Sequence, residues 1–184
     1  MKKIVLLLLL AITPLCAVKN THQRINKATL RSIKKELVNA LREIEQNLKE
    51  LSIQSGDLSV VFLKMTNECL SRDISKKIIR ETSTTAFDAI IEQQSLKVIL
   101  LICLLNKKIE RKFQKIWQDV SKKYEKEANR IYHQMVKKCN NGDMPLKQCS
   151  MLHISFYDFP QIYVTMSFSK VVCSNILEKI ELLL

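Results

Sequence analysis

Glycine and proline are scarce in this sequence: its 184 residues contain only two glycines and three prolines. Glycine normally makes up about 7% of a chain and proline about 5%. A β-sandwich or an α/β nucleotide-binding fold needs turn residues at short, regular intervals, and this chain lacks them. The shortage argues against both classes and favours long helices with few breaks. We therefore predict an all-α fold, a helical bundle of four to five helices stapled by disulfides.

Sequence signatures of catalysis and of metal binding are also missing. The three histidines, His22, His133 and His153, form no His-Glu-x-x-His motif, and the chain has no Cys-x-x-Cys pair. With glycine only at positions 56 and 142, neither a glycine-rich phosphate loop nor a Gly-x-Ser-x-Gly turn is present. We therefore expect no catalytic residues, no metal and no cofactor, and we interpret the protein as a non-enzyme.

The N-terminus has the order of a secretory signal peptide. Two lysines precede an apolar run over residues 4–12, and Pro14 and the small residue Ala17 follow it. Cleavage after Ala17 would assign residues 1–17 to the signal peptide and 18–184 to a single helical domain. The alternative is a bacterial lipoprotein lipidated at Cys16, which the preceding Pro14 and Leu15 fit poorly. We expect a secreted, extracellular protein with a net charge of +10, the +12 of the full chain less the two lysines removed.

A second apolar run, over residues 98–105, raises the choice between a membrane span and a buried helix. Lys97 precedes the run, and Asn106 and Lys107 follow it. A bilayer span takes about 20 apolar residues, whereas a run of about 10 to 14 is typical of a buried helix. We therefore predict no transmembrane anchor and a buried segment within a long helix over about residues 86–138, kinked near Asn106.

Apolar residues at three- and four-residue steps predict the other helices. A first helix over about 21–51 is expected to end before a turn at Ser55 and Gly56. A second helix over about 58–80, with Ile74 among its inward residues, is expected to stop at the stretch "TSTT".

Two further signals concern where helices begin. Thr85, followed three residues later by Asp88, resembles a capping box at the start of the long helix. Pro160 suits the first turn of a last helix. The stretch "MLHISFYDF" before it has no clear period and stays undecided, with a short strand as one interpretation.

Five cysteines lie outside the predicted signal peptide. Cys139 and Cys149 flank a turn-rich loop, and we predict a disulfide between them, worth about 2 to 3 kcal/mol for a loop of that length. We predict a second disulfide between Cys69 and Cys173, across the bundle. Cys103 is then interpreted as a small buried residue, with a covalent homodimer through this odd cysteine as the alternative.

One face of the long helix is the candidate binding feature. An apolar stripe that includes Ile116 and Val120 runs along one side, with Trp117 beside it. Almost opposite, seven cations fall within about 80° of arc at 100° per residue, and Asp119 is the only acid among them. The seven are Lys108, Lys112, Lys115, Lys122, Lys126, Arg130 and Lys137.

This cationic face has two interpretations, a solvated surface and an anion-binding ridge. Outside a cell, such a ridge would meet an acidic protein surface, a sulfated glycan or anionic lipid head groups, and secretion disfavours nucleic acid. We therefore predict a secreted basic protein that acts by binding, as an extracellular interaction, signalling or effector module. Two alternatives stay open: a carrier of an apolar ligand in an inter-helix cavity, and a membrane-active amphipathic protein.

Overall fold

A computed structural model describes residues 26–93 and 107–184, with side chains over 26–92 and 113–184. These residues form six α-helices and no strand, so the all-α bundle is confirmed, with more helices in the described part than the four to five predicted. The helices are α1 (Lys27–Ser55), α2 (Leu58–Ser71), α3 (Asp73–Gln93), α4 (Lys107–Asn140), α5 (Leu146–Tyr157) and α6 (Phe159–Glu181).

Several predictions fall outside the described residues. The signal peptide over 1–17, the kink near Asn106 and the environment of Cys103 are among them. Within the described ranges, no helix combines the length and the apolar character needed to cross a membrane.

Helix α1 has a clear start and a clear end. The side-chain oxygen of Asn26 accepts a hydrogen bond from the backbone N–H of Ala28 at 2.9 Å, which caps the first turn. The predicted turn at Gly56 is confirmed, but α1 continues through Ser55, beyond its predicted end near residue 51. Gly56 has a φ of 53°, a backbone conformation that favours glycine. A Cβ atom at Gly56 would also lie 3.1 Å from the Cε of Met135. The turn thus brings the end of α1 close against α4.

The break between α2 and α3 lies at Arg72 and not at "TSTT". Arg72 has extended backbone angles, φ −65° and ψ 142°, which end α2. The predicted capping box at Thr85 and Asp88 is wrong, because α3 runs straight through this stretch. Ser83 Oγ donates to the carbonyl of Ile79 at 2.7 Å, and Thr85 Oγ1 donates to that of Glu81 at 2.9 Å. These hydroxyls are satisfied by the preceding helical turn, so they do not stop the helix.

The position of this break changes which residues face the core. Ile74, predicted to point inward, is 61% exposed, because it lies in the first turn of a new helix. The undecided stretch "MLHISFYDF" is helical, forming most of α5 and the start of α6. Pro160 lies in the first turn of α6, as predicted.

Helix α6 lies at the centre of the bundle. It packs against α1, α2, α3 and α5, and its Val172, Ile176 and Ile180 are fully buried. Helix α4 packs against α2 on one side and α5 on the other. This arrangement leaves the remaining side of α4 facing solvent.

The cysteines divide into one bonded pair and two free thiols. Cys139 and Cys149 form the predicted disulfide, which joins the end of α4 to α5 with a Cα–Cα distance of 5.6 Å. The predicted bond between Cys69 and Cys173 is wrong, because both are free and buried, in α2 and α6. Burial raises the pKa of the Cys69 thiol to about 11 and also raises the pKa of Cys173. Both therefore stay protonated and serve as small apolar residues in the core.

Candidate anion-binding surface

The apolar stripe of α4 faces the core, as its spacing predicts. Ile116, Val120 and Met135 are buried. The ring of Phe113 lies edge-on to that of Phe168 in α6, with 5.1 Å between the ring centroids. The rotation of α4 about its own axis is therefore set by packing, and this rotation decides where its cations lie.

Five of the seven predicted cations have described side chains, and all five are exposed. We call them the ridge: Lys115, Lys122, Lys126, Arg130 and Lys137. At 1.5 Å per residue they extend over about 33 Å along the helix. The side chains of the other two, Lys108 and Lys112, lie outside the described residues.

Neighbouring cations on the α2 side of α4 have carboxylate partners. Lys123 Nζ lies 2.6 Å from Glu68 Oε2, and Lys138 Nζ lies 3.0 Å from Asp57 Oδ2. In the opposite sense, Lys64 Nζ of α2 lies 2.8 Å from Glu127 Oε1 of α4. We call this row of interhelical ion pairs the α2–α4 seam.

Glu68 is the centre of the seam. Besides Lys123, it accepts a hydrogen bond from the Tyr124 hydroxyl at 2.9 Å and lies 3.6 Å from Arg72 Nη2. The hydrogen bonds from Lys123 and then Tyr124 lower the pKa of Glu68, because they stabilise its ionised form. The same contacts raise the pKa of Lys123 and that of Tyr124. The Lys123 charge is therefore held on α2 by a defined partner.

The ridge has no comparable partners. In the part of the chain that the structure describes, no carboxylate lies within salt-bridge distance of a ridge nitrogen, and the one side-chain hydrogen bond is from Arg130 Nη1 to Gln134 Oε1 at 3.4 Å. Asp119, the acid within the ridge arc, lies 3.7 Å from Arg72 Nη1 instead. An external anion could therefore contact the ridge without breaking an internal ion pair.

The edge of the ridge toward α5 carries aromatic rings that the sequence patterns did not reveal. His133 is exposed, and its ring centroid lies 5.7 Å from that of Tyr132. Tyr132 packs on Phe156 of α5 at 4.5 Å. Tyr132 and His133 belong to α4 and Phe156 to α5, so the contact between Tyr132 and Phe156 could not be predicted from the pattern of one helix.

The described residues contain no group of three histidine, cysteine or carboxylate side chains placed to hold a metal ion. The interpretation of the chain as a non-enzyme stays a prediction. Comparisons with models of protein families, with curated proteins and with solved structures found no match. The surface is a linear array of exposed cations along one helix.

Proposed function

We propose that this protein acts by binding, as a secreted extracellular interaction, signalling or effector module, and that the ridge of α4 contacts an acidic partner. The order of charged, apolar and small residues at the N-terminus supports secretion. A disulfide between Cys139 and Cys149 fits an oxidising compartment. The partner is a multivalent anion: a sulfated glycan, anionic lipid head groups or an acidic protein surface.

One observation carries the proposal, the difference in pairing between adjacent cations of the same helix. Lys123 and Lys138 are held by Glu68 and Asp57, while their neighbours Lys122 and Lys137 belong to the ridge, which has no carboxylate partner among the described residues. Like charges in a row repel one another and attract an anion of matching length. A helix face that only kept the protein soluble would more often mix both signs of charge.

The membrane-active alternative is less well supported. A basic amphipathic helix inserts its apolar face into the bilayer interface. In α4 that face is occupied, since Ile116 and Val120 are buried in the bundle. Insertion would require the bundle to open, whereas contact of the ridge with lipid head groups would not.

Heparin chromatography of a ridge variant tests the proposal. The variant combines Lys115→Gln, Lys122→Gln, Lys126→Gln and Lys137→Gln. We expect it to elute at much lower salt than the wild type, because each cation lost removes a site of counterion release from the polyanion. Its melting temperature should stay within a few degrees, since the four side chains have no carboxylate partners among the described residues. Unchanged retention would show that the ridge is only a solvated face.

Two further ligands distinguish the classes of partner. Vesicles that contain phosphatidylserine test lipid head groups, and fully desulfated heparin tests whether the sulfate groups are needed. Binding to heparin that is lost on desulfation would favour a sulfated glycan. Ridge-dependent binding to the vesicles, without leakage of their contents, would favour a lipid surface.

A further inference from the structure

A groove of about 620 Å³ opens to solvent between α3 and α6 and extends to the end of α2, so none of its helices carries the ridge. Its volume is within the usual range of small-molecule sites, about 300 to 1,000 Å³. The apolar side chains that line it are Leu70, Ile79 and Val171. These side chains provide a surface on which an apolar molecule could lie.

Two uncharged polar side chains of the groove, Ser83 and Asn175, are hydrogen-bonded to each other. Ser83 Oγ donates to the Ile79 carbonyl at 2.7 Å and accepts a hydrogen bond from Asn175 Nδ2 at 3.3 Å. Covering a polar group is costly mainly when it loses its partners. An aliphatic chain could therefore cover this pair at little cost.

Cations outnumber acids among the lining residues, with Lys76, Arg80 and Lys179 against Glu178. Lys179 Nζ is held by Thr84 Oγ1 at 3.0 Å, and Lys76 Nζ lies 3.6 Å from Asp73. Within the described ranges, Arg80 has no carboxylate at salt-bridge distance. Its guanidinium can form two parallel hydrogen bonds with a carboxylate.

We propose that this groove is a second binding site, one for an amphipathic organic anion of the fatty-acid type. The aliphatic body would lie on Leu70, Ile79 and Val171, and the carboxylate would meet Arg80, with Lys76 and Lys179 nearby. Both parts are needed, because the apolar surface supplies most of the binding free energy and the cations select a charged head group. This site is independent of the ridge and of its partner.

Calorimetric titration of the intact protein with dodecanoate, below its micelle concentration and at neutral pH, tests the proposal. We expect saturable binding of one dodecanoate per chain, and no measurable binding of acetate, which has the same head group without the chain. Absence of dodecanoate binding, or equal binding of acetate, would overturn the proposal.

Substitutions on α3 and α6 locate the site. Arg80→Gln should weaken dodecanoate binding by about three- to tenfold, the effect of losing one charged pair at a partly exposed position. Lys77→Gln is the matched control, since Lys77 is an exposed cation of the same helix that pairs with Glu81 and does not line the groove. Equal weakening by the two substitutions would contradict a site in this groove.

Two more variants distinguish binding in the groove from binding elsewhere on the protein. Val171→Asp places a negative charge among the apolar side chains that line the groove, where it would repel the carboxylate and disrupt the apolar surface. This variant should not bind dodecanoate, and circular dichroism would confirm that it is folded. The fourfold ridge variant should bind dodecanoate as the wild type does. Loss of binding in the ridge variant would instead assign the fatty acid to the ridge.

Discussion

The positive charges on two sides of helix α4 are in opposite circumstances. On the α2–α4 seam, Lys123 and Lys138 are fixed by carboxylates at 2.6 and 3.0 Å. On the ridge, Lys122 and Lys137 are exposed, with no carboxylate partner among the described residues. Each seam lysine directly follows a ridge lysine in the sequence, so a rotation of 100° about the helix axis separates the two environments.

The difference teaches that the role of a charge depends on what the neighbouring helix places opposite it. Glu68 and Asp57 belong to α2 and its preceding turn, and they convert two lysines into interhelical contacts. Exposed ion pairs are individually weak, so they hold these two lysine charges against α2, while core packing sets the rotation of α4. Among the α4 cations with described side chains, the ridge cations are those that these internal pairs do not include.

The largest expected effect comes from placing a charge on the buried face of α4. Ile116→Asp places an unpaired charge in the core and should lower the free energy of unfolding by about 3 to 5 kcal/mol, enough to unfold a marginally stable domain. Chemical denaturation followed by circular dichroism measures this change. Lys115→Asp is the matched control: it introduces the same side chain at the adjacent exposed position and should cost little. A stable Ile116→Asp protein would contradict the inward orientation of this face of α4.

A smaller effect is expected on the α5 side of α4. Replacing Cys139 and Cys149 together by serine should lower the free energy of unfolding by about 2 to 3 kcal/mol, because the unfolded chain gains the freedom of an open loop. Thermal unfolding measures this loss, with Cys69→Ser as a contrast, since that change affects a buried free thiol and not a crosslink. The ion pairs of the seam do not involve α5, so they should survive. If the double serine variant unfolds at the wild-type temperature, the crosslink does not stabilise this side.

We expect the seam to be sensitive to acid. The lowered pKa of Glu68 means that its stabilising contribution is complete above the ordinary carboxyl value of 4.5 and is lost as the pH falls through the folded-state pKa. Glu68→Gln should therefore lower the melting temperature by a few degrees at pH 7 and by less at pH 3. Melting curves between these two values measure the difference. Glu125→Gln is the control, because Glu125 is a glutamate of α4, across the seam from Glu68, and has no salt bridge among the described residues. A constant offset across the pH range would show that ionisation of Glu68 is not what matters.

Much of the fold could be predicted because it depends on local patterns. The scarcity of glycine and proline, and the three- and four-residue steps of apolar residues, predict helices without a knowledge of their neighbours. The turn at Gly56 and the start of α6 near Pro160 have strong local signals and were predicted correctly. The Cys139–Cys149 disulfide closes a short loop, so it could be predicted as well.

Features that depend on contacts between distant segments could not be predicted in this way. "TSTT" reads as a helix break, but Ser83 and Thr85 bond back to the preceding turn, and the true break at Arg72 has no glycine or proline. Nothing in the sequence distinguishes two free buried thiols at Cys69 and Cys173 from a disulfide between them. The ridge residues could be predicted from helix periodicity. The ion pair of Lys123 could not, because its partner Glu68 lies 55 positions away on another helix.

A charge-matched comparison tests the central claim most directly. One double variant, Lys122→Gln with Lys137→Gln, removes two ridge cations, and the other, Lys123→Gln with Lys138→Gln, removes the two adjacent seam cations. Affinity for heparin is measured at several salt concentrations, which gives the number of counterions released for each protein. We predict that the ridge variant loses affinity and that its salt dependence falls by about two ions, while the seam variant binds almost as the wild type does. Equal losses in the two variants would show that only the net charge of the protein matters, and would contradict a specific role for the ridge.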